Sequence, residues 1–347
     1  MNIAVAGFGT VLLGARPGLS AGFEQVMVPD PAGAPLEVGI WYPSEAPAVP
    51  QRLGLFEQTV AAGGAIAGRD LPLIVMSHGS GGSFEGHYDT ALALAEAGFV
   101  VAAVTHTGDN YSDQSAFARV ENRPRHITAL VDYLLMSWRH HDPLDPARVG
   151  MFGFSAGGFT ALVMIGGLPD MTRVAPYCTK YPDEWASRKL NGTRTRQEPD
   201  AFVHDPRIAA AVIAAPAIGY SFTPKGLANI QAPIQLWRGD SDEILPHARH
   251  AQNVYDGLPT KPEYHVVPNA GHFAFLAPCT PALERVAPEI CRDPEGFDRA
   301  AFHREFNTAV VDFFKTKLHA PYQAREIVGR LGQAPIQRPP WADIPGA

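Results

Sequence analysis

The sequence predicts an α/β protein in which a mostly parallel central sheet is flanked by helices. Two observations lead to this prediction. From about residue 73 to about residue 313, short continuous apolar runs alternate with amphipathic stretches, and such runs are typical of strands covered on both faces. Ahead of that region lie two segments in which apolar and polar residues alternate, which is the pattern of half-buried strands.

The two N-terminal strands are expected at Phe23–Val28 and Leu36–Tyr42, and the turn-forming run Pro29–Gly33 between them predicts an antiparallel hairpin. Ser44–Asp70, rich in Ala, Gly and Pro, is expected to be a long surface connection. The remaining elements are expected as strands at 73–76, 99–104, 149–154, 208–213, 234–237 and 264–267, and as helices at 88–97, 125–138, 156–165 and 302–313. Because strand–helix–strand crossovers join parallel neighbours, this order predicts a mostly parallel sheet.

Residues 22–322 are expected to form one α/β domain, since hydrophobic residues make up 46% of the chain and can supply a large core. Within it, residues 168–205 separate a helix from the next strand and are polar, with several aromatic side chains. A segment of this length in this place predicts a lid or binding insertion, and a solvated loop without a role is the alternative. The tail, residues 323–347, ends in a Pro-rich stretch and is expected to dock loosely.

Residues 1–21 are expected to be a degenerate signal peptide or an extra N-terminal segment. Ile3–Leu13 is apolar and Leu19–Ala21 is similar to a cleavage site, but no cation precedes the apolar stretch and glycines interrupt it.

The charge and the hydropathy of the sequence argue against two kinds of binding partner, nucleic acids and membranes. The 28 cationic and 35 anionic side chains give a net charge of −7 without a basic run, which argues against a nucleic-acid partner. The chain contains no run of 18 apolar residues, which argues against integral membrane association.

The cysteines Cys178, Cys279 and Cys291 include no C-x-x-C pair, which argues against a zinc knuckle or a dithiol redox site. Cys279 and Cys291 lie twelve residues apart in a turn-rich segment. They either form a disulfide or remain free thiols, because the sequence alone does not fix their geometry.

The strongest chemical signal is the G-x-S-x-G motif at residues 153–157, placed between a predicted strand and a predicted helix. Such a serine sits on a tight, strained turn, where side chains two residues to either side would collide. The helix that follows points its N-terminus at the site and favours developing negative charge. Ser155 is therefore predicted to be a nucleophile, with a plain Gly-rich turn as the alternative.

A serine nucleophile needs a general base, and the base needs an orienting carboxylate. On a sheet of this kind both follow the serine along the chain, with the acid first. His272, after the strand at 264–267, is predicted to be the base. Asp242, after the strand at 234–237, is predicted to be the acid, with Asp240 as the competing candidate. Both loops lie at carboxyl ends of strands, where α/β sheets place their sites.

The negative charge of a tetrahedral intermediate needs hydrogen-bond donors. The backbone amide of Ala156 is predicted to be one donor. The amide of Ser80, within the Gly-rich run His78–Gly82, is predicted to be the other, and the amide of Gly79 is its alternative.

Aromatic residues flank these motifs in the sequence and are expected to line an apolar acyl pocket. They are Phe84, Phe154 and Phe273, and ordinary core positions are the alternative for all three. The run His106–Tyr111 follows a predicted strand and is a candidate for the wall of the same pocket.

Taken together, these segments resemble the α/β-hydrolase superfamily, and within it the predicted dienelactone hydrolases and the esterases similar to platelet-activating-factor acetylhydrolase. The resemblance extends over about residues 22–318 and is carried by Gly39–Pro43, His78–Gly82, Gly153–Gly158, Asp242 and Gly271–Phe273. It implies the α/β-hydrolase fold, with the N-terminal hairpin and the insertion as additions to it.

Two further expectations come from the resemblance. Dienelactone hydrolases use a cysteine nucleophile, so the serine at position 155 is a departure that favours ordinary ester hydrolysis through an acyl-enzyme. Many relatives are exported, which supports the signal-peptide and disulfide interpretations and a periplasmic or secreted location, with a cytoplasmic location as the alternative.

The sequence thus predicts a serine carboxylic-ester hydrolase that acts on a small to medium, apolar ester. This chemistry needs neither a metal ion nor an organic cofactor. An amidase or peptidase with the same triad and a non-catalytic binding protein on the same fold are the alternatives.

Overall fold

A computed structural model describes residues 19–190 and 202–318 of the chain. One ten-stranded sheet runs through this part of the protein. Its strands, β1 to β10 in chain order, are Ser20–Val28, Leu36–Ser44, Val49–Leu53, Phe56–Ala62, Leu71–Ser77, Val100–Thr105, Leu144–Phe154, Ile208–Ala214, Ile234–Gly239 and Glu263–Val267. The helices, α1 to α10, are Tyr88–Glu96, Asn122–Met136, Ala156–Met164, Val174–Lys180, Trp185–Leu190, Pro224–Leu227, Ala251–Gly257, Pro281–Val286, Pro288–Cys291 and Arg299–Leu318.

The strand order is β10-β9-β8-β7-β5-β6-β2-β1-β4-β3. The six strands from β10 to β6 are mutually parallel, while β2 joins β6 and β1 in antiparallel pairs. The mostly parallel sheet and the N-terminal antiparallel hairpin are therefore confirmed. Parallel strands end at the same edge of a sheet, so the loops after β5 to β10 gather along one rim.

The expectation of a long surface connection between Ser44 and Asp70 is wrong. Strands β3 and β4 form a second hairpin there, and β4 pairs in parallel with β1. The inward-facing Phe56, Gln58 and Val60 alternate with exposed residues, which is a strand pattern that the surrounding Ala and Gly residues obscure. Gln58 also accepts a hydrogen bond of 2.8 Å from the indole nitrogen of Trp41, which anchors the hairpin to β2.

Both faces of the sheet are covered, which explains why the central strands are apolar throughout. In β5, Leu73 and Val75 pack on the side of α2 and α3, whereas Ile74 and Met76 pack on the side of α1 and α10. Strand β5 therefore lies in the middle of the core, and its packing on both faces holds in place the start of the loop that follows it.

Helix α2 begins at Asn122, three residues before the predicted start at residue 125. Pro124 lies in its first turn, where the missing backbone N–H has no intrahelical partner to lose. Arg123 and His126 are consequently helical and buried.

The insertion between α3 and β8 contains α4 and α5, and its residues 191–201 lie outside the described residues. Its role as a lid stays a prediction. Of the predicted N-terminal segment 1–21, Ser20 and Ala21 belong to β1 and residues 1–18 lie outside the described residues, as does the tail 323–347.

Cys279 and Cys291 form a disulfide, which decides between the two alternatives left by the sequence. Cys178 is a free, partly buried thiol in α4. Among the helices of the described residues, none combines the length and the apolar character needed to cross a membrane.

Candidate active site

Ser155 occupies the turn between β7 and α3 with φ 56° and ψ −114°, a left-handed conformation that costs a non-glycine residue energy and is found at functional turns. A Cβ atom at Gly153 would lie 2.1 Å from the carbonyl oxygen of Gly157, and one at Gly157 would lie 1.8 Å from the carbonyl oxygen of Ser77. Glycine is therefore required on both sides of the serine. The turn leaves Ser155 half-buried at the rim of the sheet.

Three loops of the rim bring Ser155, His272 and Asp242 together. Nε2 of His272 lies 3.0 Å from Oγ of Ser155, and Nδ1 of His272 lies 2.8 Å from Oδ2 of Asp242. The side chains of His272 and Asp242 are 3% and 4% exposed. The arrangement can pass a proton from the hydroxyl to an imidazole that a carboxylate orients.

Asp242, and not Asp240, contacts His272. Burial raises the pKa of Asp242, but the neighbouring His272 and the backbone amides of Leu245 and Ile244 outweigh that effect and hold the pKa below its ordinary value. Oδ1 of Asp240 instead accepts hydrogen bonds from the amide of Asn269, at 2.7 Å, and from the hydroxyl of Ser241, at 3.0 Å. Asp240 thus joins the acid loop to the histidine loop.

Further bonds hold these two loops in register. The amide of Ser241 donates to the carbonyl of Ala270 at 3.1 Å, and the amide of His272 donates to Oε2 of Glu243 at 3.3 Å. The position of His272 is therefore set from the acid loop as well as from its own strand.

The predicted oxyanion donors lie where the chain leaves β5 and enters α3. Among the described residues, the amides of Ser80, its alternative Gly79 and Ala156 donate to no protein acceptor. Ala156 is the first residue of α3, so its N–H belongs to the unpaired amides at a helix N-terminus. These amides are available to a ligand oxygen at the site.

The three phenylalanines predicted to bind substrate differ in exposure. Phe84 is 3% exposed and packs in the core against Gly39 and Trp41. Phe154 is 2% exposed, with its ring centroid 4.9 Å from that of His272. Phe273 is only half-buried, and its ring lies 5.3 Å from that of His272. Of the three, Phe273 has the most surface available to a ligand.

A second serine–histidine pair, which the sequence did not reveal, lies on the same rim. Oγ of Ser77 is 2.8 Å from Nε2 of His106, and Nδ1 of His106 is 3.1 Å from Nδ1 of His126. Ser77 and His106 are fully buried, and burial holds the pKa of His106 well below its ordinary range. No short sequence motif marks this pair, because Ser77 and His106 come from the ends of two different strands and their neighbour His126 comes from α2.

The insertion contacts the acid side of the site through Tyr177. The Tyr177 hydroxyl lies 3.2 Å from Nε of Arg249 and 3.2 Å from Nε2 of His250, and it donates to Glu184, which also pairs with Arg249. The Tyr177 ring stacks on Tyr220 with centroids 3.5 Å apart. Helix α4 is thereby attached to the segment that follows Asp242 in the chain.

The other end of the described insertion contacts the loop after β6. Nζ of Lys189 donates to Oε1 of Gln114 at 3.0 Å and lies 5.7 Å from the ring centroids of Phe117 and Trp185. Gln114 in turn touches the Gly-rich loop, since a Cβ atom on Gly81 would lie 3.0 Å from its Nε2. The insertion therefore contacts loops on both sides of Ser155.

Within residues 19–190 and 202–318, no group of three or more His, Cys, Asp or Glu side chains has an arrangement that would hold a metal ion.

Comparison with solved structures defines the class of fold. The ferulic acid esterase from Streptomyces cinnamoneus is 20% identical, with a TM-score of 0.61 over 90% of this chain and 96% of that chain. A dienelactone hydrolase from Anabaena variabilis is 15% identical, with a TM-score of 0.49 over 83% and 96% of the two chains. The fold is that of the α/β-hydrolases, as the sequence predicted.

The family follows from the sequence itself. The model of the dienelactone hydrolase family matches residues 59–318. The chain therefore belongs to the dienelactone hydrolase family and is a carboxylic-ester hydrolase. Comparison with curated proteins finds no match.

Proposed function

We propose that the protein hydrolyses small to medium, apolar carboxylic esters with Ser155 as nucleophile, His272 as general base and Asp242 as the orienting acid. The observation that carries this proposal is the chain of hydrogen-bond distances from hydroxyl to imidazole to carboxylate. Serine is the residue at the nucleophile position, and its hydroxyl needs such a base to attack an ester.

The reaction requires the His272 imidazole to be in one tautomer and one orientation. Asp242, whose pKa is held below its ordinary value, accepts a hydrogen bond from Nδ1–H of His272. This fixes the tautomer in which the lone pair of Nε2 faces Ser155. When Oγ attacks the ester carbonyl, the hydroxyl proton passes to Nε2, and the imidazolium then returns it to the departing alcohol. Water cleaves the acyl-enzyme by the same proton transfers in reverse order.

The tetrahedral intermediates carry negative charge on the former carbonyl oxygen. The amides of Ser80 and Ala156 are proposed to stabilise it, since both are free of protein acceptors among the described residues. The N-terminus of α3 adds its positive dipole end at the same place. Each such donor typically contributes about 10²–10³ in rate.

The apolar preference rests on the aromatic surroundings of the base. Phe154 and Phe273 lie against the His272 ring, and Phe273 has surface left for an acyl or alcohol group. The insertion is proposed to act as the lid or wall that limits substrate size, because it contacts loops on both sides of the nucleophile.

The proposal is tested with 4-nitrophenyl esters of graded acyl length, from acetate to laurate, together with methyl ferulate and a matched anilide. Ser155→Ala is expected to lower kcat by about 10⁴–10⁶-fold, with ester turnover exceeding anilide turnover in the wild type. Ser77→Ala is the matched control, since it removes a serine hydroxyl that also faces a histidine. The control is expected to stay within about tenfold of wild type, because a substitution outside the reacting groups removes no step of the chemistry.

Full activity in Ser155→Ala would reject the nucleophile assignment. Faster anilide than ester turnover would replace the esterase by an amidase on the same triad. A rate that rises steadily up to laurate would show that the site is larger than proposed.

A further inference from the structure

A buried ion pair lies beneath the Gly-rich loop, on residues outside the proposed triad. Nε of Arg123, on α2, donates to Oδ2 of Asp109 at 2.9 Å. Arg123 and Asp109 are 1% and 4% exposed. Removing two charges from water is expensive, and replacing such a pair with apolar residues often leaves stability unchanged or improves it. Stability alone therefore gives weak grounds for a pair at this position.

Both partners hold the loop that carries the proposed oxyanion donor. Oδ1 of Asp109 accepts from the amide of Gly81 at 3.2 Å, and its Oδ2 accepts from the hydroxyl of Ser80 at 3.3 Å. Nη1 of Arg123 donates to the carbonyl of His78 at 2.7 Å and to the hydroxyl of Ser77 at 3.3 Å. The ion pair thus forms hydrogen bonds to the loop both before and after the Gly79–Ser80 peptide.

These contacts fix the direction of the Ser80 amide. The Gly79–Ser80 peptide plane can turn only about the single bonds on either side of it. Here the His78 carbonyl before it and the Gly81 amide after it are hydrogen-bonded to the ion pair. Gly81 has φ +74°, so the loop bends sharply at the point where Asp109 holds its N–H. With Ser80 Oγ and Gly81 N–H engaged by Asp109 and the His78 carbonyl engaged by Arg123, the Ser80 N–H is left for the site.

The charges also have opposite effects on the oxyanion. A carboxylate beside the loop would repel the negative charge that develops on the substrate oxygen, and low exposure makes this repulsion stronger than in water. The guanidinium of Arg123 offsets it, because the pair as a whole carries no net charge.

We propose that Arg123 and Asp109 are positioning residues for the oxyanion donor, and that Arg123 compensates the Asp109 charge during ester hydrolysis. This inference rests on the proposed function. It predicts that loss of Arg123 weakens transition-state binding while ground-state binding of the ester is largely kept.

The test compares Arg123→Gln, Asp109→Asn and the double variant by kcat and KM for 4-nitrophenyl butyrate, and by Ki for an alkyl trifluoromethyl ketone. With the ketone, Ser155 Oγ bonds to the carbonyl carbon, the hydroxyl proton passes to His272, and the carbonyl electron pair becomes an oxyanion. The ketone therefore reports on oxyanion binding without turnover. Arg207→Gln is the control, because it removes a guanidinium that pairs with the buried Asp205, which lies just before β8 at the opposite rim of the sheet, and with Asp132 of α2.

For Arg123→Gln we expect kcat to fall by about 10–10²-fold, somewhat less than for outright loss of a donor, with KM changed by no more than about threefold. The ketone Ki should rise by the same factor as kcat falls. The double variant should recover part of kcat relative to Arg123→Gln, since it removes the uncompensated carboxylate. Arg207→Gln should lower the unfolding temperature but leave kcat of the folded enzyme unchanged.

If kcat and the ketone Ki of Arg123→Gln stay within about twofold of wild type, the inference is overturned. Should Arg123→Gln fail to fold, the double variant decides, because it leaves neither buried charge without its partner. A wild-type kcat and ketone Ki in the double variant also overturn the inference. Ser155→Ala is assayed in parallel. Activity in that variant would remove the proposed function itself, whereas its inactivity together with a wild-type-like Arg123→Gln would remove only this inference.

Discussion

Two serine–histidine pairs lie on the same rim of the sheet, and within the described residues only the pair Ser155–His272 has a carboxylate on the second ring nitrogen. In each pair the hydroxyl oxygen is about 3 Å or less from an imidazole nitrogen, at 3.0 Å for Ser155 and His272 and at 2.8 Å for Ser77 and His106. The hydrogen-bond distance therefore does not distinguish them. Their surroundings do.

The differences lie in exposure, backbone and the partner of the second ring nitrogen. Ser155 is half-buried on a left-handed turn, whereas Ser77 ends β5 and is fully buried. His272 faces the Asp242 carboxylate, whereas His106 faces the neighbouring imidazole of His126. A base that must become an imidazolium needs an anion to stabilise it, and in the described part of the chain no carboxylate lies within hydrogen-bond distance of the His106 ring. The carboxylate partner and the exposure of the serine, rather than the serine–histidine contact, are therefore the features that favour Ser155 and His272 as the proposed catalytic pair.

The largest effect on kcat in this comparison is expected when the carboxylate that contacts His272 is removed. Asp242→Asn should lower kcat by about 10⁴-fold, because an amide no longer fixes the reactive tautomer of His272 or stabilises its charge. Asp240→Asn, two residues away, keeps a side-chain oxygen that can accept from the Asn269 amide and the Ser241 hydroxyl, so kcat should stay within about tenfold of wild type. Steady-state kinetics on 4-nitrophenyl butyrate measures both. A larger loss for Asp240→Asn would exchange the roles of the two acids.

A smaller effect is expected on the pH dependence of the unfolding free energy, and it comes from the buried His87. Burial lowers the pKa of His87 to about 4, with Asp89 opposing and His303 adding to the shift. The unfolded chain takes up a proton at His87 near pH 6.5 and the folded protein only near pH 4, so this contribution to stability is present above pH 6.5 and lost as the pH falls to about 4. The slope per group is about 1.4 kcal/mol per pH unit over that range.

His87→Leu tests this dependence, because both ring nitrogens of His87 are buried without a partner among the described residues. Urea unfolding at pH 7.5 and pH 5, on either side of about 6.5, should show a smaller loss of unfolding free energy in the variant than in wild type. Leu94→Ala, which truncates a buried side chain of helix α1, directly after His87, and removes no ionisable group or ion-pair partner, serves as a destabilised control with the wild-type pH slope. Equal slopes in wild type and His87→Leu would show that His87 is not neutral in the folded state.

The elements that the sequence revealed share a physical cause. Strands buried on both faces must be continuously apolar, so β5, β6 and β8 were visible as runs, and the nucleophile turn was visible because steric crowding demands its glycines. Strand β4 was missed although Phe56, Gln58 and Val60 alternate, since one short period-2 stretch in an Ala- and Gly-rich segment is a weak signal.

The residues that the sequence did not reveal are those whose role depends on distant partners. The polar start of α2, where Arg123 precedes Pro124, gives no sign that a guanidinium points inward to Asp109 and the Gly-rich loop. Tyr177 and Arg249 lie 72 positions apart and meet only because the insertion returns to the rim. Such contacts are set by the tertiary fold, and no local pattern encodes them.

Covalent labelling with a fluorophosphonate, read by intact mass and peptide mapping, tests most directly whether Ser155 is the nucleophile. We expect one phosphonyl group per chain, formed with loss of fluoride and located on Ser155, in the wild type and in Ser77→Ala, and none in Ser155→Ala. Labelling on Ser77, labelling that persists in Ser155→Ala, or a wild-type protein that remains unlabelled would contradict this assignment.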